Sequence, residues 1–255
     1  MRRGQSVPAV FPLARARALL LGSLLVLAAA AWTVLVWQSS IMGMDDVDNM
    51  LTMDMGVPLF LAVWAAMTAA PMILTFAHVQ EGKQRNGKPF VPTWAFVSSY
   101  LAIWTAFGAL AYTAALGATK LADNSMWVMD NAARIGGGDL VLAGLYQLSP
   151  LKDICLSKCR APMAFVLTFW RDGYGGALRM GLEHGVYCLG CCWLFFVIVF
   201  PLGMMNVAVL AAIVVLIFAE KSLPFGQRAK QLAATALLTY GTLVMLVPKA
   251  LPTAM

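Results

Sequence analysis

Apolar residues in this chain fall into long runs separated by short polar segments, a pattern typical of a protein that crosses a membrane several times. A helix needs about 20 mainly apolar residues to cross a hydrocarbon core roughly 30 Å thick. The runs therefore predict an all-α fold, a polytopic transmembrane helical bundle that forms a single domain over residues 1–255 with about seven spans. The predicted spans cover residues 18–37, 57–77, 93–116, 135–151, 186–200, 204–219 and 231–248.

The apolar run over residues 186–219 decides between seven spans and six. Its 34 residues would form a single helix about 50 Å long, which exceeds one crossing. Pro201 and Gly203 lie near its middle, so we predict two helices joined by a tight turn. The alternative is one kinked and tilted helix, which would give six spans. At the end of this run, we interpret Glu220 and Lys221 as a polar cap at the membrane edge.

Composition and charge support a membrane protein. Only 12% of the residues are charged, against roughly 25% in soluble domains, and 61% are hydrophobic. With the N-terminus in the cytoplasm, the predicted spans put all but Lys120, Arg134 and Lys249 of the 18 Lys and Arg residues on the inner side. We therefore assign the net charge of +6 to membrane topology and expect no nucleic-acid partner. The predicted location is multi-pass in a bacterial inner membrane, with residues 152–183 as a cytoplasmic-side surface segment containing short helices.

A cluster of soft ligands lies at the edge of the longest apolar run, in the stretch "EHGVYCLGCCW". His184, Cys188 and Cys192 are spaced four residues apart, with Cys191 three residues after Cys188, so all four lie on one stripe of a helix. Thiolates favour Cu(I), zinc or iron–sulfur clusters, and imidazole is compatible with copper or zinc. The pattern predicts a metal site, and the competing interpretation is that these cysteines are small packing residues.

A second cysteine pair precedes the first cluster. Cys155 and Cys159 are four residues apart in "DICLSKCR", on the same predicted side of the membrane. All five cysteines thus fall within residues 155–192, and we expect the pair to complete the metal site or to exchange ligands with it. A disulfide framework is disfavoured on a cytoplasmic side, where thiols are kept reduced.

Weaker metal candidates are methionines and the second histidine. An acidic, Met-rich stretch, "MGMDDVDNMLTMDM", occupies the first outer segment, where thioethers and carboxylates suit weak capture of a soft cation. The alternative is an interfacial helix whose methionines rest on lipid. The secondary candidates are His78, Met42, Met44, Met50, Met53, Met55, Met67, Met72, Met204 and Met205.

Three stretches, "LYQLSPLKDICLSKCRAP", "ALRMGLEHGVYCLGCCW" and "FAEK", resemble a bacterial family of predicted metal-binding integral membrane proteins. This family has a domain of unknown function and is sometimes called a copper chaperone family. The resemblance covers roughly residues 40–230. It implies a metal, copper first, and ligand positions at Cys155, Cys159, His184, Cys188, Cys191 and Cys192. The family's early Met-Met-x-Pro-like element has only a partial counterpart here, Met67 with Pro71 and Met72.

The leading hypothesis is an integral membrane protein that binds Cu(I), with zinc or iron as alternatives, and handles or delivers it to a periplasmic or membrane metalloprotein. Two other hypotheses stay open. The protein is a subunit of a membrane metalloenzyme, a metal-dependent oxidoreductase acting on a lipophilic substrate, or it is an assembly factor stabilised by structural zinc. The sequence contains no P-loop for ATP.

Overall fold

The computed structural model describes residues 56–69, 93–203 and 206–250, together with separate positions between residues 22 and 37. Secondary structure in the described residues is entirely helical, which confirms the predicted all-α fold. The α-helices are α1 (Val57–Ala69), α2 (Thr93–Asn124), α3 (Met126–Gln147), α4 (Pro150–Arg160), α5 (Pro162–Thr168), α6 (Gly173–Val197), α7 (Val199–Leu202), α8 (Val207–Ser222) and α9 (Gly226–Leu246), followed by a 3-10 helix, Pro248–Ala250.

Local sequence signals set the start of the helix that carries the first cysteine pair. The hydroxyl of Ser149 accepts a hydrogen bond from the backbone N–H of Lys152, and Pro150 occupies the first turn of α4, where its missing N–H costs nothing. Asp153 lies in the first turn and Lys158 and Arg160 in the last, which complements the helix dipole. These signals fix the register of Cys155 and Cys159.

The helices pack in two closely spaced pairs, α3 with α9 and α2 with α6, and α4 lies across α6. Glycines permit the close approach. A Cβ atom added to Gly181 of α6 would lie only 2.2 Å from the carbonyl oxygen of Phe96 in α2. A Cβ atom added to Gly241 of α9 would lie 2.9 Å from the carbonyl oxygen of Gly137 in α3. Helix α6 carries Cys188, Cys191 and Cys192, and α4, which packs on it, carries Cys155 and Cys159.

The long apolar run breaks at Gly203, whose φ of 93° favours glycine and ends α7. The side chain of Asn206 then caps the start of α8 by accepting a hydrogen bond from the N–H of Val209. The helix before the break, α6, begins at Gly173, which also has a positive φ of 82°. The last third of the predicted surface segment 152–183, residues 173–183, is therefore part of a long helix, because Gly175 and Gly176 do not interrupt it.

Within the described residues, two helical segments are long and apolar enough to cross a membrane, Thr93–Asn124 and Gly173–Leu202. The helix after the break, α8, has 16 residues, fewer than the about 20 that a straight crossing requires. The seven-span arrangement thus stays a prediction. The predicted spans at 18–37 and 57–77 extend beyond the described residues.

Candidate metal site

Three cysteines from two helices meet in the core. The Sγ atoms of Cys159 on α4 and of Cys188 and Cys191 on α6 all lie within 4.8 Å of one another. The Sγ atoms of Cys159 and Cys191 are 3.7 Å apart. All three side chains are buried. We call these residues the three-sulfur group.

Helix geometry explains the convergence. Cys188 and Cys191 are three residues apart on α6, so their side chains lie on one face, and the Sγ of Cys191 donates to the carbonyl oxygen of Cys188 at 3.1 Å. This face is turned toward α4, which supplies Cys159. The fold therefore brings Cys159 of the first cysteine-rich stretch to Cys188 and Cys191 of the second, while a metal site shared by the two stretches stays a prediction.

The other predicted ligands lie around the three-sulfur group without belonging to it. Cys192 is buried with its Sγ 3.3 Å from that of Cys191. The Sγ of Cys155 lies against Gly190, where an added Cβ would be 2.7 Å away. His184, one turn before Cys188, is fully buried and its ring lies 4.8 Å from that of Phe165.

Most of the secondary candidates fall outside the described residues, namely His78, Met42, Met44, Met50, Met53, Met55, Met72, Met204 and Met205. The backbone of Met67 lies within α1. The secondary site therefore stays a prediction.

Cys188 contacts two polar side chains that were not predicted to lie near the cysteines. The Nζ of Lys221, at the end of α8, donates to the Sγ of Cys188 at 3.2 Å. The hydroxyl of Tyr100 on α2 lies 3.4 Å from the same sulfur and 3.2 Å from the carbonyl oxygen of Thr68. Cys188 is thus the member of the three-sulfur group that contacts groups from α2 and α8.

Burial and the neighbouring sulfurs shift the pKa values of Lys221 and Cys159. Burial by itself would lower the pKa of the Lys221 ammonium, but the negative charges that Cys188 and the other nearby cysteines can carry outweigh it and raise this pKa well above its usual range. The hydrogen bond with Cys188, followed by burial, raises the pKa of the Cys159 thiol well above its usual range.

A buried ion pair lies next to the three-sulfur group. The Nζ of Lys152 on α4 is 2.7 Å from the Oε2 of Glu220 on α8, and the two side chains are 1% and 2% exposed. The same Nζ lies 4.3 Å from the centroid of the Phe195 ring on α6. Burial raises the pKa of Glu220, and Lys152 opposes that rise. The predicted polar cap at Glu220 and Lys221 is therefore wrong, since both side chains point into the protein.

The cysteines and the ion pair share neighbours on α3. Cys191 and Lys152 lie with Tyr146 and Gln147 of α3 around one gap that is too small to hold a water molecule. The Tyr146 hydroxyl donates to the carbonyl oxygen of Gly190. The sequence shows charged residues within the "FAEK" and "LKDIC" stretches, but it does not specify which of them form ion pairs.

The donor set fits a soft metal ion. Two metal–sulfur bonds of about 2.3 Å span up to about 4.6 Å between sulfurs, close to the separations in the three-sulfur group. Thiolates select Cu(I), zinc or iron–sulfur clusters, and structural zinc takes four ligands. The three mutually close sulfurs, with the sulfur of Cys192 3.3 Å from that of Cys191, supply thiol ligands that fit Cu(I) or zinc.

No curated protein and no solved structure matches this chain. A family model described as PpoB2, copper chaperone, matches residues 59–244, a range that includes all five cysteines. This match extends over most of the 255 residues. The chain therefore belongs to the PpoB2 copper chaperone family.

Proposed function

We propose that this protein binds Cu(I) at Cys159, Cys188 and Cys191 and passes it to a copper-requiring protein. The observation that carries the proposal is the convergence of three buried sulfurs from two helices inside a chain of a copper chaperone family. Copper is the cargo, so the site must release the ion as well as bind it. Cys192, whose sulfur is adjacent to that of Cys191, is a further ligand available during transfer.

The proposed location is a membrane, with several spans and the N-terminus in the cytoplasm. Two long apolar helices support it, as do large apolar side chains that point outward, including Leu110, Val215 and Leu232 at 64%, 65% and 71% exposure. Exposed apolar area of this extent is unfavourable in water and favourable against lipid. The acceptor is accordingly proposed to be a membrane or periplasmic metalloprotein.

The test is the metal content of the protein purified in mild detergent under anaerobic conditions and loaded with Cu(I), measured by elemental mass spectrometry. We expect stoichiometric copper in the wild type and its loss in Cys188→Ser/Cys191→Ser. Cys155→Ser is the matched control, because it removes a buried thiol outside the three-sulfur group. We expect it to retain copper.

Two results would contradict the proposal. A wild-type protein that binds no copper would show that the sulfurs are packing or redox groups. Tightly held zinc that Cu(I) does not replace would instead indicate a structural zinc site.

A further inference from the structure

Lys221 brings its ammonium group into contact with the three-sulfur group. Its Nζ lies 3.2 Å from the Sγ of Cys188, although the neighbouring Glu220 carries a carboxylate. Glu220 is instead paired with Lys152 from α4. Successive residues of a helix point about 100° apart, so α8 directs its carboxylate and its ammonium to different partners. The ammonium of Lys221 therefore contacts the sulfur of Cys188, and the carboxylate of Glu220 pairs with Lys152.

The net charge of the site with Cu(I) bound depends on the ammonium of Lys221. Cu(I) bound by two thiolates has a net charge of −1, and Cu(I) bound by three has −2. The Lys152–Glu220 pair has no net charge, so it compensates the negative charge of neither complex. One ammonium neutralises the dithiolate complex and leaves the trithiolate complex with an uncompensated buried charge, which is costly.

We propose that Lys221 is a charge-compensating and positioning residue, which stays beside Cys188 when Cu(I) is bound and favours coordination by two thiolates. This inference rests on the proposed Cu(I) function of the same site. Two-coordinate copper leaves the third sulfur of the group available as an incoming ligand, so the same charge balance supports transfer of the ion. A purely structural lysine would affect folding and would not affect the coordination number.

The test compares Lys221→Met, Lys221→Arg and, as a control that removes an exposed lysine from α2, Lys120→Met. Cu(I) affinity is measured anaerobically by competition with a chromophoric Cu(I) chelator, and the number of sulfur ligands by X-ray absorption spectroscopy. We expect Lys221→Met to weaken Cu(I) binding about tenfold or more, because a buried anionic complex loses its counter-ion. Lys221→Arg and Lys120→Met should stay within about threefold of the wild type. The wild type should show two sulfur ligands.

The outcomes separate this inference from the function on which it rests. If the wild type binds no Cu(I), the proposed function fails. If the wild type binds Cu(I) and Lys221→Met binds it equally well, or if wild-type copper has three sulfur ligands, the role of Lys221 is overturned and the function stands. Should Lys221→Met fail to fold, Lys221→Gln carries the same prediction, because it also removes the charge and retains a polar side chain.

Discussion

Lys152 and Glu220 form an ion pair that is almost completely removed from solvent, with 2.7 Å between Nζ and Oε2. The pair joins α4, which carries Cys159, to the end of α8, which carries Lys221. Two charges in such a place are stable only together, because each alone would be a buried charge without compensation.

Removing one partner of this pair should destabilise the protein strongly. We expect Lys152→Met to lower the free energy of unfolding by about 3–5 kcal/mol, whereas Lys152→Met/Glu220→Leu should recover most of that loss. The measurement is reversible unfolding in detergent, or the thermal midpoint where unfolding is irreversible.

The control for this prediction is Arg179→Gln. Arg179 pairs with Glu183, but its side chain is 63% exposed, so the loss should stay below about 1 kcal/mol. Equal losses in Lys152→Met and Arg179→Gln would show that burial of the Lys152–Glu220 pair has no energetic consequence.

Replacing Gly181 should disturb the contact between α2 and α6. A Cβ atom there would lie 2.0 Å from the Oγ of Ser99 and 2.2 Å from the carbonyl oxygen of Phe96, and the carbonyl cannot move without the helix. We expect Gly181→Ala to cost about 1–3 kcal/mol of stability. Gly175→Ala on the same helix meets nothing within 4 Å and should be neutral or stabilising. If the two variants have the same thermal midpoint, the close approach of the helices is wrong.

The proximity of Cys159 and Cys191 should allow mild oxidation to join α4 to α6. In a variant that retains only these two cysteines, we expect the tryptic peptides that contain them to remain linked until a reductant is added, because their sulfurs are 3.7 Å apart. A matched variant that retains only Cys155 and Cys188 should cross-link more slowly, since Cys155 lies outside the three-sulfur group. Faster cross-linking in the matched variant would contradict the arrangement of α4 on α6.

Membrane insertion predicts a simple fractionation result. After alkaline extraction, which strips peripheral proteins, we expect the chain to stay in the membrane pellet, because side chains such as Leu110 and Leu232 expose apolar area that water does not favour. A known peripheral protein in the same preparation serves as the control. Release of this chain together with that control would contradict the proposed location.

The periodicity of the sequence was sufficient to predict which cysteines of α6 share a face, but it did not predict which cysteine of α4 lies beside them. Spacing by three residues correctly put Cys188 and Cys191 on one face of a helix, and the clustering of all cysteines correctly suggested that Cys159 would be near them. Cys155 and Cys159 both face α6, and spacing does not determine how far each side chain lies from the sulfurs on that helix. It therefore could not distinguish Cys159, which joins the three-sulfur group, from Cys155, which lies against Gly190.

The polar partners of the cysteines were beyond sequence reasoning for a different reason. Lys221 and Tyr100 are 33 and 88 residues from Cys188, and the choice of partner depends on how three helices cross. A charged residue at the end of an apolar run more often lies at a membrane edge, which is why Glu220 and Lys221 were assigned there. In the folded chain α8 packs against α4 and turns both residues inward.

On the proposed function, the division of the three sulfurs between α4 and α6 would couple copper binding to the position of a helix. Copper bound to Cys159 and to a sulfur of α6 would hold the two helices together. By thermodynamic linkage, a contact that draws α4 away from α6 would weaken copper binding by the same free energy by which bound copper weakens that contact. An acceptor that docked on α4 would therefore need no ligand of higher intrinsic affinity to receive the ion, because docking itself would contribute to the free energy of release.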